Sequence, residues 1–153
     1  MHYGLLNDIR PLDKELLDQI VKHFSYLGFA RSSDECRIYY PKLYIDADNT
    51  QRCLAESGLD PDRFTMALLP GAEYVPAKQW PVDHCADLVR QIDQAGGADS
   101  NLCSNTQIAG AVDLITQADL AVTNNSGLMH VAAVKTRVIA IYGSSSPNFT
   151  PPL

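Results

Sequence analysis

Three short uncharged runs decide what this chain can fold into. They are Met66-Ala67-Leu68-Leu69, Leu120-Ala121-Val122 and Val138-Ile139-Ala140-Ile141. Each is apolar throughout rather than alternating, so each calls for cover on both faces, as strands of a parallel sheet do. Each leads into turn residues: Pro70-Gly71, Asn124-Asn125 and Gly143-Ser144. The stretches between them carry a helical period. Residues 82–95 turn Cys85, Leu88, Val89 and Ile92 inward and stop at Gly96-Gly97. Residues 107–118 put Ile108, Ala111, Val112, Ile115 and Ala118 on one face, and 128–134 form a shorter helix. Alternating strand and helix predict an α/β domain with an open parallel sheet. Leu102-Cys103 is a marginal fourth strand. Ligands of such sheets sit beyond the carboxyl ends of the strands. Loops 70–80, 123–129 and 143–150 are therefore expected to line one crevice.

Upstream of residue 64 the texture differs. Leu12, Leu16, Ile20, Phe24 and Leu27 share one helical face between Pro11 and Gly28. A weak helix over 48–57 ends at Gly58, and the rest of 29–63 reads as a connector. The expected division is an interdomain segment over 1–63 and a domain over 64–153.

A chain of 153 residues can bury one core. A net charge of −6 without a dense Lys/Arg run argues against nucleic acid or an anionic membrane as partner. No apolar run is long enough to span a bilayer, and MHYGLLNDIR lacks a signal-peptide core, so the default expectation is cytoplasmic. Cys36, Cys53, Cys85 and Cys103 fall in no C-x-x-C pair or zinc spacing. They are expected to be buried free thiols, with no metal site.

The chemistry concentrates at 123–133, TNNSGLMHVAA. Asn124, Asn125 and Ser126 are helix-capping types, and Gly127 lets a ligand approach the backbone. Free N–H groups at the start of a helix make an anion site suited to a phosphate or diphosphate. An ordinary capped turn has the same sequence. Lys78 is the basic side chain of the first loop and could neutralise phosphate in the same crevice; a solvated lysine fits equally well. Ser144, Ser145 and Thr150 are donors or plain turn residues, and Glu73 is a hydroxyl acceptor or a surface carboxylate.

Four blocks resemble a known family: PGAEYVPAKQWP at 70–81, AVDLI at 111–115, TNNSGLMHVAA at 123–133 and YGSSSPNFTPPL at 142–153. Together they are similar to the lipopolysaccharide heptosyltransferases of glycosyltransferase family 9. The resemblance implies a Rossmann-like sheet forming the C-terminal, nucleotide-sugar-binding half of a two-domain GT-B enzyme, here incomplete. It implies transfer of heptose from ADP-heptose to an inner-core lipopolysaccharide acceptor, with inversion and with no cofactor, in the cytoplasm or at the inner membrane's surface. Lys78 would contact the diphosphate. Ser126, Gly127 and Leu128 would cradle the sugar-phosphate, with Asn125 and His130 beside them. Glu73, Thr123 and Ser144 are secondary candidates. No catalytic residue is assigned, because the family's general base belongs to an N-terminal domain that 1–63 is too short to hold.

Departures from the family pattern accompany the resemblance. Asn125 and Asn148 stand where aspartate is usual, Val75 and Ser104 where glycine is, and Gln79 where arginine is frequent. The stretch from Gly97 to Leu102 is too short for the strand and helix that relatives place there. These features imply a fragment or decayed copy. The alternatives are a non-catalytic nucleotide-sugar-binding module, or half of a split enzyme completed by an N-terminal-domain partner chain.

Overall fold

The computed structural model describes Gly28 and residues 40–72, 76–148 and 150–152. The helix expected over 11–28 and the candidate Glu73 lie outside them, as does Val75. The chain forms two units, Met1–Tyr39 with Ser146–Pro151, and Tyr40–Ser145 with Pro152–Leu153. In the first unit, Ser146 nucleates a turn: its carbonyl accepts from Thr150 N–H at 3.2 Å and its hydroxyl from Asn148 N–H at 3.2 Å.

The second unit is α/β. In chain order it holds α1 (Ala47–Ser57), β1 (Met66–Leu69), a 3-10 turn (Pro76–Lys78), α2 (Val82–Gln94), α3 (Ile108–Gln117), β2 (Leu120–Asn124), α4 (Gly127–Ala133) and β3 (Arg137–Ile141). The three strands form a parallel sheet in the order β1-β2-β3, with Met66 opposite Leu120 and Leu120 opposite Arg137. The central strand is the buried one: Ala121 to Asn124 are all buried, whereas β1 is half-buried throughout. Ile115, Ala121 and Ala132 form the core, with Ala67, Leu69, Leu128 and Val138 against it.

Asp119 ties the amino ends of the strands together. Its carboxylate accepts from Thr65 N–H at 2.9 Å, its N–H donates to the Thr65 carbonyl at 2.9 Å, and its carbonyl accepts from the Arg137 guanidinium at 3.3 Å. Helix α1 starts at Asp46, whose carboxylate caps Asp48 and Asn49 N–H, and stops at Gly58 with φ of 66°. It packs against α3, where the Asn49 amide donates to the buried Asp113 carboxylate.

Two expectations are corrected. Leu102-Cys103 is no strand. Asn101 Oδ1 accepts from Cys103 N–H at 3.0 Å, Asn105 N–H reaches the Leu102 carbonyl at 3.1 Å, and Ser104 takes a left-handed φ of 63°. Two apolar residues give too few ladder bonds to compete with that local turn. Cys103 is exposed as a result, and Cys53 and Cys85 are half-buried rather than buried. Helix α2 has the expected bounds, yet none of its residues is buried.

Candidate functional site

The carboxyl ends of the three parallel strands bring three loops together. At the end of β2, Asn124 is 1% exposed and its Nδ2 donates to the carbonyl of Lys78 in the first loop, at 2.6 Å. The next residue, Asn125, also buried, donates from Nδ2 to Ser145 Oγ in the third loop, at 2.7 Å. The first and third loops also meet directly: a Cβ placed on Gly143 would lie 3.4 Å from the Ala77 carbonyl. The last residue of β2 and the bend residue after it thus each hold one flanking loop, Asn124 the first and Asn125 the third.

The first loop is stiffened from within. Gln79 N–H closes the 3-10 turn on the Pro76 carbonyl at 3.0 Å, and the Gln79 side-chain amide reaches the Ala72 carbonyl at 2.9 Å. Lys78 is half-buried, and no carboxylate among the described residues pairs with its ammonium. A loop lysine with no described carboxylate partner offers a positive charge to an anionic ligand.

The turn into α4 is built of unsatisfied polar groups. Ser126 is the N-cap, with extended φ and ψ of −137° and 174°, but its hydroxyl caps nothing. Asn124 Oδ1, Ser126 Oγ and His130 Nδ1 are all buried with no hydrogen-bond partner among the described residues. Buried polar atoms normally have partners, so three orphans on one turn mark a place where order was kept at a cost in stability. Gly127 is exposed and carries open space where a Cβ would be. The N–H groups of Gly127 and Leu128 are the first of the helix and have no intrahelical acceptor by position. Burial lowers the pKa of His130 and keeps the imidazole neutral at neutral pH.

Of the sequence-predicted residues, Lys78, Asn125, Ser126, Gly127, Leu128 and His130 lie on this loop cluster or on the helix that begins in it. Thr123 is fully buried and its hydroxyl donates to the Asn124 carbonyl at 3.0 Å. Ser144 is exposed. Asn124 was legible only as a capping type; its bond to a carbonyl 46 residues away leaves no local mark in sequence. Among the described residues no group of His, Cys, Asp and Glu is placed to hold a metal, and no helix is long and apolar enough to cross a membrane.

Known proteins resemble this chain in sequence and in fold. Residues 1–98 and 95–153 match the model of glycosyltransferase family 9 (heptosyltransferase). Lipopolysaccharide heptosyltransferase 2 of Escherichia coli strain K12 is 35% identical over all of this chain and 54% of its own length. Lipooligosaccharide heptosyltransferase 2 of Haemophilus influenzae is 32% identical over 99% of this chain and 54% of its own. The structure of E. coli ADP-heptose LPS heptosyltransferase II superposes with a TM-score of 0.77 at 34% identity, covering 99% of this chain and 56% of that one. A family 9 glycosyl transferase from Veillonella parvula DSM 2008 shares the fold, with a TM-score of 0.70 at 19% identity over 98% of this chain and 51% of that one. The chain spans about half the length of the curated relatives it matches. The two stretches of the family match meet at 95–98, just after α2. The E. coli alignment runs over 187 positions against a chain of 153, so that relative holds residues with no counterpart here.

Proposed function

The chain belongs to glycosyltransferase family 9, and from that premise we propose that its second unit is the donor-binding part of a lipopolysaccharide heptosyltransferase. The donor is ADP-heptose, the architecture is GT-B, and the acceptor is an inner-core saccharide of lipopolysaccharide. The observation that carries this reading is the latched meeting of three loops around a lysine with no carboxylate partner among the described residues and an under-satisfied turn.

The chemistry follows from those groups. Inverting transfer breaks the bond between the anomeric carbon and the diphosphate, and negative charge grows on the departing ADP. Lys78 and the free N–H groups at Gly127 and Leu128 are positive where that charge appears, and they need no reorganisation to meet it. Neutral His130 adds polarity without a competing charge. The base that deprotonates the acceptor hydroxyl, and the acceptor site, belong to the N-terminal domain of the family architecture, carried in the same polypeptide or a partner chain. The expected location is the cytoplasm, at the inner face of the membrane where the acceptor is built.

A thermal melt with and without millimolar ADP tests this. ADP at about 100 times its dissociation constant adds roughly 2.7 kcal/mol, and at the same ADP concentration the rise should shrink in Lys78→Ala. A cooperative melt indifferent to ADP would refute the donor site. Binding without complementation of a transferase-deficient strain would favour a nucleotide-sugar-binding module over an enzyme.

A further inference from the structure

Resting on the donor-site reading, we propose that Asn124 is the positioning residue of Lys78: its side-chain amide fixes the backbone from which the lysine reaches the ligand. The amide donates to the carbonyl of Lys78 itself, across 46 residues of chain, from a position 1% exposed. Lys78 closes a single 3-10 turn, and its ammonium has no described carboxylate to hold it. A lysine side chain has a flexible four-carbon stem. Its head is aimed chiefly by the Cα–Cβ direction at its base, so restraint of the backbone at 78 sets where the charge is presented. The central strand supplies that restraint, since Ala121 to Asn124 are its most buried stretch.

The alternative role for an asparagine at a strand-to-helix turn is local capping through its side-chain oxygen. Here that oxygen has no partner among the described residues, and the nitrogen is the working atom. The role is therefore specific to an amide. A carboxylate at 124 would set an acceptor against the Lys78 carbonyl, and an alanine would leave that carbonyl unpaired. Asn125 repeats the device on the third loop by holding Ser145. The two latches leave the loops without covalent links, yet fixed to one rigid strand end.

The test uses the whole chain and ADP as probe. Affinity is measured by calorimetry for the native chain, Asn124→Ala, Lys78→Ala and the double variant. Loss of one buried hydrogen bond should weaken ADP about tenfold in the native background and leave affinity unchanged in the Lys78→Ala background. Equal losses in both backgrounds, or no loss in either, would overturn the proposal. Asn124→Asp keeps the shape and removes the donor, so it should behave like Asn124→Ala; native affinity in Asn124→Asp would overturn the role of the amide. It also carries the test if the alanine variant does not fold. Hydrogen exchange without ADP separates this proposal from the reading it rests on. Amides 77–79 should exchange at least tenfold faster in the Asn124 variants, with α3 and β3 unchanged, and unchanged exchange at 77–79 would overturn the latch. A native chain that ignores ADP sinks the donor site, and the latch is then decided by exchange alone.

Discussion

Truncating Met129 to alanine should remove a large part of the stability of the sheet unit. Met129 is 0% exposed and is among the largest fully buried side chains described, while other fully buried apolar positions, Ala121 and Ala132, are already minimal. The change deletes three heavy atoms, worth about 2.4 kcal/mol at ~0.8 kcal/mol per buried group. It also leaves a cavity at a fully buried site, and the Tyr142 hydroxyl loses the Met129 sulfur it contacts at 3.5 Å. A total of about 3–4 kcal/mol lies within the usual range for such truncations. Urea unfolding followed by helix circular dichroism would show it. With a slope of roughly 1.5–2 kcal/mol per molar, the midpoint should fall by about 2 M at constant slope. Met129→Leu keeps the volume and should lose under about 1.5 kcal/mol. Ile108→Ala, at an 84% exposed position, should change stability by less than about 0.5 kcal/mol. A Met129→Ala loss below about 1 kcal/mol, or one matched by Ile108→Ala, would refute the account of where the core lies.

Further outcomes follow from other residues. Burial lowers the pKa of His130, so the unfolded chain takes up a proton near pH 6.5 and the folded chain only below that. Stability should therefore fall as pH drops from about 6.5 toward the folded-state pKa, and melts of His130→Gln across that window should show a shallower fall; an equal fall would assign the effect elsewhere. Ser104→Gly should raise stability by about 0.5 kcal/mol, because glycine removes the left-handed cost at φ 63° but loses more chain entropy on folding; a drop in the urea midpoint would count against strain there. Gly110→Ala gains about 1 kcal/mol of helix propensity but sets a Cβ 3.2 Å from Cys53 Sγ. The alanine should help more in a Cys53→Ala background than alone, and additive effects in that cycle would show that α1 and α3 do not crowd each other.

Sequence legibility tracked the range of the forces involved. β1, β2 and β3 were readable because an uncharged run bounded by turn residues needs no distant partner to be recognised. Loops 70–80, 123–129 and 143–150 were expected together from the parallel topology that those runs imply, and the structure joins them through Ala77, Lys78, Asn124, Asn125, Gly143 and Ser145. Lys78 and Ser126 were readable as types, but not their state. Ser126 has the identity and the extended backbone of a cap, yet its hydroxyl has no hydrogen-bond partner among the described residues. Asn124 reads as a capping type and not as a latch, because its partner lies 46 residues away. Leu102-Cys103 misled because two apolar residues in a row carry no information about whether a turn will claim them. The periodicity of α2 was right about the helix and silent about its cover, since an amphipathic pattern records what a helix needs rather than what it receives.

The register of the sheet also dictates an order of assembly. Asp119 contacts Arg137 across 18 residues but Thr65 across 54. Closing the shorter loop loses less chain entropy, so β2, α4 and β3 are expected to come together as the early unit, and β1 to join a sheet edge already in place. On the ribosome β1 emerges before β2, its strand neighbour among the described residues, has been made. During that interval Met66-Ala67-Leu68-Leu69 is an uncharged strand in search of an edge, and the time taken to translate the intervening chain sets how long it must stay soluble alone.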